Sequence, residues 1–326
     1  MRSRWPTWAA NAAFGLLVLA ATLWAMVVAW HHAAGLWRGA ALGLLALAAA
    51  AILILRSRSK GGAWGAFALA ALLVGIPYAL LQPRGDRDWA PDVAHGVTGT
   101  VDGDIVTLDN VRAFRWTDKD HAAEAWKTET VNLNDLTSLD LFTSTWNGPA
   151  IAHVLASFGF ADGRHIVFSV EIRREQGEVY STLGGFVRQF EQVLIAADEE
   201  DIVKLRTTDR GEDVNLYPIA LSPEKRRALF LNYVALGNDL AAHPRWYNTV
   251  TGNCASSVYR MVNDNIAPLP FDWRLLLTGG VPDYLNNLGF LAGAGTMEER
   301  RARSAISARA REIPAGADYS TWIRGN

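Results

Sequence analysis

Three long apolar runs occupy the first third of the chain, and they constrain the fold more than anything after them. They cover about Trp8 to Trp30, Leu36 to Leu55 and Trp64 to Leu81. Each approaches the roughly 20 residues that a helix needs to cross a hydrocarbon core. Arg38 is the only strong charge within them, and it sits at an end from which its side chain reaches the interface. The first run is too long for a cleaved signal peptide, and two further spans follow at once, so it reads as a retained helix.

Loop charge sets the direction expected for these spans. Arg2 and Arg4 precede the first run, and Arg56, Arg58 and Lys60 separate the second from the third. The positive-inside bias puts both segments in the cytoplasm, so three spans deliver the remaining chain to the outer side. Trp30, Trp37, Trp64 and Tyr78 lie near run ends, where an aromatic belt places them.

Beyond Arg84 the composition becomes that of a water-soluble domain, with a linker at Gln82–Asp86. The formal net charge of −2 offers no concentrated basic face, which excludes nucleic acid as the expected partner. Short alternating runs from Val97 to Phe114 are broken at Asp102–Gly103 and Asp109–Asn110, the pattern of strands and turns. Further strands are expected over Thr128–Leu133, Ser138–Trp146 and Val214–Ala220, and a strand pair over Val193–Thr207 around the acidic turn Asp198–Asp201. Ile151–Phe160 and Arg164–Arg173 form the clearest hairpin. Ser222–Pro223 opens a helix to about Leu240, with a capping residue and a proline at its first position. A second helix starts at Cys254, capped by Asn253 or Thr251, and Met297–Arg311 reads as a surface helix. Strands followed by helices make an α+β domain with an antiparallel sheet packed on helices. The expected organisation is a 1–84 anchor, an 85–295 domain and a 296–326 surface helix or tail.

Cys254 is the sole cysteine, so no internal disulfide is available. A single thiol is commonly an inert buried side chain. On the outer side of a membrane, however, an unpaired thiol is exposed to oxidation, and its presence there points to a use. At a helix start, backbone N–H groups and the dipole favour the thiolate and can hold an oxyanion. Seven histidines compete as its base. His31 and His32 lie at a membrane boundary, and His95, His121 and His243 lie in polar connecting sequence. His153 and His165 sit on the hairpin, where strands give rigid support. A three-residue loop at Ala161–Gly163 makes His153 face Glu171, which can hold the imidazole; a two-residue loop turns Glu171 and Ser169 to the other face. With one cysteine and no close histidine pair in the outer domain, no metal and no cofactor are expected. Arg115, Asn248 and Asn253 are candidates for either substrate contact or a buried supporting network.

Several motifs occur together in order. Ala152–His153–Val154, Ser157–Phe160 and Phe168–Arg173 are followed by Tyr180–Ser181, Asp201–Arg206, Val214–Pro218 and Tyr247–Cys254. This set resembles the periplasmic domain named after the lipoprotein N-acyltransferase Lnb, over most of residues 110 to 265. The resemblance implies a papain-like or NlpC/P60-like thiol fold in permuted order, with the histidine strand before the cysteine helix. It implies a multi-pass protein of the bacterial inner membrane, with its N-terminus in the cytoplasm and its C-terminal domain in the periplasm. It also implies a Cys254 nucleophile, a His153 base and a membrane lipid or lipoprotein as substrate, with an acyl chain moved from a diacylglyceryl ester to an amine. Tyr247, Asn248, Asn253 and Ser169 are the candidates for oxyanion or substrate contacts. Ala255 follows Cys254 where many relatives carry a hydroxyl residue. A cysteine peptidase or amidase acting on envelope peptide, and a non-catalytic lipid-binding domain, are the competing readings.

Overall fold

A computed structural model describes residues 7–146, 148–265 and 268–325. Arg2 and Arg4 lie outside the described residues. The chain divides into two compact units, residues 1–83 with 180–189, and residues 84–179 with 190–326.

The first unit contains α1 (Thr7–His32), α2 (Gly35–Arg58) and α3 (Lys60–Leu80), all long and apolar enough to span a membrane. Leu16, Leu44, Leu47 and Leu73 are exposed on them, an apolar surface suited to lipid rather than water. Ser59 ends α2 and also starts α3, where its hydroxyl accepts from the Gly62 amide. Phe14, Trp64 and Phe67 pack edge-to-face and tie α1 to α3. The segment 180–189 belongs to this unit. Its Arg188 guanidinium donates to the Tyr78 and Ala79 carbonyls at 3.0 and 3.3 Å. A helix C-terminus leaves carbonyls without intrahelical donors and carries partial negative charge, so an arginine stabilises it on both counts. His32 Nε2 donates to the Val187 carbonyl at 2.6 Å.

The second unit is built on β1 (Thr98–Asp102), β2 (Ile105–Arg112), β3 (Arg115–Trp116), β4 (Ala122–Ala123), β5 (Trp126–Asn132), β6 (Leu136–Thr145), β7 (His153–Phe160), β8 (His165–Arg173), β9 (Glu191–Asp198) and β10 (Asp213–Pro218). Among the described residues eight of these form one sheet, in the order β1-β2-β9-β8-β7-β6-β10 with β5 also on β2; β3 and β4 pair separately. Helices α4 (Glu199–Lys204), α5 (Pro223–Ala242), α6 (Cys254–Asn265), α7 (Val281–Asn287), α8 (Met297–Ser304), α9 (Ser307–Arg311) and α10 (Tyr319–Arg324) complete the unit. The α+β expectation holds, but the sheet is mixed: β2 runs parallel to β9, while every other neighbour is antiparallel. Helices also cover both faces.

Alternation along the central strands explains the two faces. Val154, Ala156, Phe158, Phe168 and Val170 point to a core shared with Phe230 and Tyr233 of α5 and Cys254 of α6. Leu155, Val167, Val193 and Ile195 point to a second core with Ile202 of α4, Ile306, Ala310 of α9, and Tyr319 and Ile323 of α10. Both faces being buried, the strands read as nearly continuous apolar runs.

Three expectations change here. Val193–Thr207 is one strand followed by a helix. Asp198 accepts from the Asp201 amide as its cap, and the acidic residues of that first turn suit the positive helix end. Asp109–Asn110 is not a turn but an irregularity inside β2, where the register on β5 shifts and Asn110 takes φ 62°. The C-terminal segment is no surface tail. It breaks between α8 and α9, and Ile306 donates its amide to Val214 of β10. Arg324 of α10 forms a cluster with Glu199 and Asp140, both at 2.7 Å.

Candidate active site

The β7–β8 hairpin takes the three-residue loop: the Phe160 amide donates to the Arg164 carbonyl, and Gly163 adopts φ 87°. Gly159 then pairs with His165 and Ala156 with Phe168. The ladder closes no further, and continuing its register sets His153 against Glu171. The imidazole Nε2–H points at both Ser169 Oγ, 2.7 Å away, and Glu171 Oε1, 3.1 Å away. Ser169 donates its own proton to the same Glu171 oxygen at 2.8 Å. With Nε2 so engaged, Nδ1 is left for the thiol.

Cys254 begins α6, buried at 7% exposure. Asn253 precedes it as the helix cap: its Oδ1 accepts from the Ser256 amide at 2.8 Å, and Ser256 Oγ accepts from the Asn253 amide at 2.9 Å. This reciprocal cap satisfies one donor of the first turn, while the Cys254 and Ala255 amides have no intrahelical acceptor. The thiol lies within hydrogen-bonding reach of His153 and accepts from the Val154 amide. It meets that amide where the β7–β8 ladder has opened.

Electrostatics favour an ion pair. Burial alone would raise the thiol, but His153 and the Val154 N–H outweigh it and bring Cys254 below its ordinary value. Burial opposes charge on His153 too, yet the Glu171 and Cys254 charges lift it to about 9. Glu171, despite burial, is held well below the usual carboxylate range by His153 and Arg206. The arrangement therefore favours a thiolate beside an imidazolium, with donors at the helix start for a developing oxyanion.

Cys254, His153 and Glu171 thus come together. The remaining candidates have other partners. Ser169 serves the imidazole and the carboxylate. Asn253 is committed to the cap, with its Nδ2 donating to the Thr249 carbonyl at 2.7 Å. Asn248 builds the preceding turn, its Oδ1 accepting from the Val250 and Thr251 amides at 3.0 and 2.9 Å. Tyr247 joins that turn to the sheet through its amide on the Phe190 carbonyl. Arg115 pairs with Asp198 and Glu200. His121 and His243 bind nearby aspartates on the surface, and His95 packs edge-on to Trp126.

Three residues that matter here escaped sequence reasoning. Arg206 is buried and donates to Glu171 Oε1 at 2.9 Å and to the Ile202 carbonyl at 2.8 Å. Gln192 of β9 donates to the Gly252 carbonyl at 3.2 Å and to Ser257 Oγ at 2.9 Å, fastening the cysteine loop to the sheet. Thr278 exchanges hydrogen bonds of 2.9 and 2.6 Å with the Ala152 backbone, fixing the approach to His153. Of the three, only Arg206 fell within a motif singled out in the sequence, Asp201–Arg206; it lies just after α4, in a stretch expected to be the second strand of a pair.

No curated protein and no solved structure matches the chain. A family model, that of the Lnb N-terminal periplasmic domain, matches residues 122–279, which contain the strand of His153, the strand of Glu171 and the start of the Cys254 helix. Residues 122–279 of this chain therefore belong to the Lnb N-terminal periplasmic domain family.

Proposed function

We propose that this protein is a membrane-anchored thiol acyltransferase of the bacterial inner membrane, with its second unit in the periplasm. The observation that carries the reading is the line Cys254–His153–Glu171 at the first turn of α6. The order of histidine strand before cysteine helix also fits a permuted papain-like fold.

In the first half-reaction the Cys254 thiolate attacks the ester carbonyl of a diacylglyceryl group. The Cys254 and Ala255 amides hold the oxyanion, and the His153 imidazolium gives its proton to the departing alcohol. A thioester remains. In the second half an amine attacks that thioester, His153 accepts its proton, the C–S bond breaks and the thiolate returns. Glu171, itself held by Arg206 and Ser169, keeps the ring oriented and offsets its charge. Three spans suit a donor whose chains stay in the bilayer, because anchoring raises its effective concentration.

The test is mass spectrometry of lipoprotein N-termini from cells carrying the native chain or Cys254→Ala. Loss of the N-acyl product in the variant is expected, and undiminished conversion would sink the proposal. Accumulation of uncut envelope peptides with unchanged lipoproteins would instead favour hydrolysis by the same residues.

A further inference from the structure

Between the sheet and helices α5, α6 and α7 lies a cavity of about 110 Å³. Val154 and Ala255, which line it, directly follow His153 and Cys254 in the chain. Val154 also supplies the amide that the thiol accepts. Tyr233, another wall residue, stacks on Phe168 with ring centroids 4.9 Å apart, close enough to Cys254 to feel its charge. Ala156 lines it from the sheet, Val258 from the next turn of α6, and Leu285 from α7.

Few polar atoms reach the cavity, and three of the polar side chains that line it have partners elsewhere. Asp140 pairs with Arg324, while the Tyr259 and Tyr284 hydroxyls donate to the Leu269 and Pro270 carbonyls. Such a space offers a ligand little hydrogen bonding and holds water poorly, yet leaving it empty forfeits packing. Its volume is that of several water-sized spheres, since roughly 10–15 Å³ suffices for one. Small residues at 156 and 255 keep it open where α6 meets β7. An apolar site beside a nucleophile suits an unbranched hydrocarbon attached to the carbonyl under attack.

We infer that this cavity receives the fatty acyl chain of the thioester formed on Cys254, with Val258 and Leu285 limiting the chain length it accepts. The inference rests on the acyl-transfer reading, and it names the part of the substrate that the site recognises.

The full-length protein in detergent, treated with water-soluble N-alkyl iodoacetamides from ethyl to octyl, provides the test. The Cys254 sulfur displaces iodide, forming a C–S bond as the C–I bond breaks, and intact mass reports the rate. The native protein should react faster as the alkyl chain lengthens, relative to iodoacetamide itself, by about tenfold across the series. Val258→Phe should lose that advantage while keeping its rate with iodoacetamide, and Leu285→Ala should shift the preference to longer chains. The same chain-length profile in all three proteins would overturn the inference. So would a native protein indifferent to chain length. If Val258→Phe fails to fold, Leu285→Ala still decides. A chain-length preference without any change in lipoprotein N-termini would leave the acyl site standing and remove the proposed acceptor.

Discussion

His153 Nε2 lies 3.1 Å from Glu171 Oε1 on neighbouring strands whose ladder last closes at Ala156 and Phe168. Opposed residues share a face of a sheet, and a slip of one residue would have sent Glu171 to the other. The loop Ala161–Gly163 therefore decides, from the far end of the hairpin, that the imidazole has a carboxylate.

This pairing predicts the pH behaviour of the thiol. Alkylation of Cys254 by iodoacetamide needs only the thiolate, so its midpoint should fall below the usual value of about 8.5. Acyl transfer also needs the His153 proton, so its rate should fall again as pH rises through about 9. His153→Asn should move the alkylation midpoint upward. For stability, the raised His153 value gives a contribution complete below about 6.5 and lost as pH rises through about 9. Glu171 acts oppositely, its contribution fading as pH falls through its depressed value. Denaturant unfolding across pH reads both signs.

Glu171→Gln keeps the shape but removes the charge facing the imidazolium. Acyl transfer should fall by roughly 10⁴-fold, the loss seen when a triad carboxylate is neutralised. The alkaline limb of the pH–rate profile should move down with it, which a purely structural role would not produce.

Arg206 acts through Glu171 and is a positioning residue. Arg206→Ala leaves the Glu171 carboxylate with one charged partner fewer in a buried site, and we expect a loss of about 3–5 kcal/mol by chemical denaturation. Arg206→Lys retains the charge without the second bond to the Ile202 carbonyl. It should recover part of the stability and shift the alkaline limb less than Glu171→Gln does.

At the opposite face, Arg324 neutralises Glu199 and Asp140, whose side chains are almost fully buried. Arg324→Ala should cost about 3–5 kcal/mol, because two carboxylates are then buried beside each other without a cation. Deleting residues 296–326 should prevent soluble expression of the second unit. Folding of that deletion with native stability would show the segment to be dispensable.

Asn253→Ala removes the α6 cap. A helix cap contributes about 1 kcal/mol, and a loss of that size in unfolding free energy is expected. The same variant should slow iodoacetamide labelling of Cys254 several-fold, since the first turn that holds the thiolate loosens. Equal labelling rates would separate the cap from the thiol.

Hydropathy, loop composition and strand alternation are local properties, and what rests on them was readable along the chain. The three apolar helices, the hairpin, α5 with its Ser222 cap and α6 starting at Cys254 all belong to this class. The acidic stretch Asp198–Asp201 was misread because the same residues serve a turn and a helix cap equally well. Only the environment of Asp201, buried against Arg112, Phe114 and Trp116, selects the helix.

The candidate site divides in the same way. An unpaired thiol behind three spans, with a histidine on a strand before it, was visible in residue order alone. Sequence left the hairpin register open between two loop lengths, and it carried no sign that Gln192, Arg206 and Thr278 would converge on the cysteine loop, the carboxylate and the histidine strand. Those contacts join residues from 35 to 126 positions apart. They depend on which strands become neighbours in the sheet and which helices cover each face. Burial of both faces settles that, because it is a property of the packed chain rather than of any window along it.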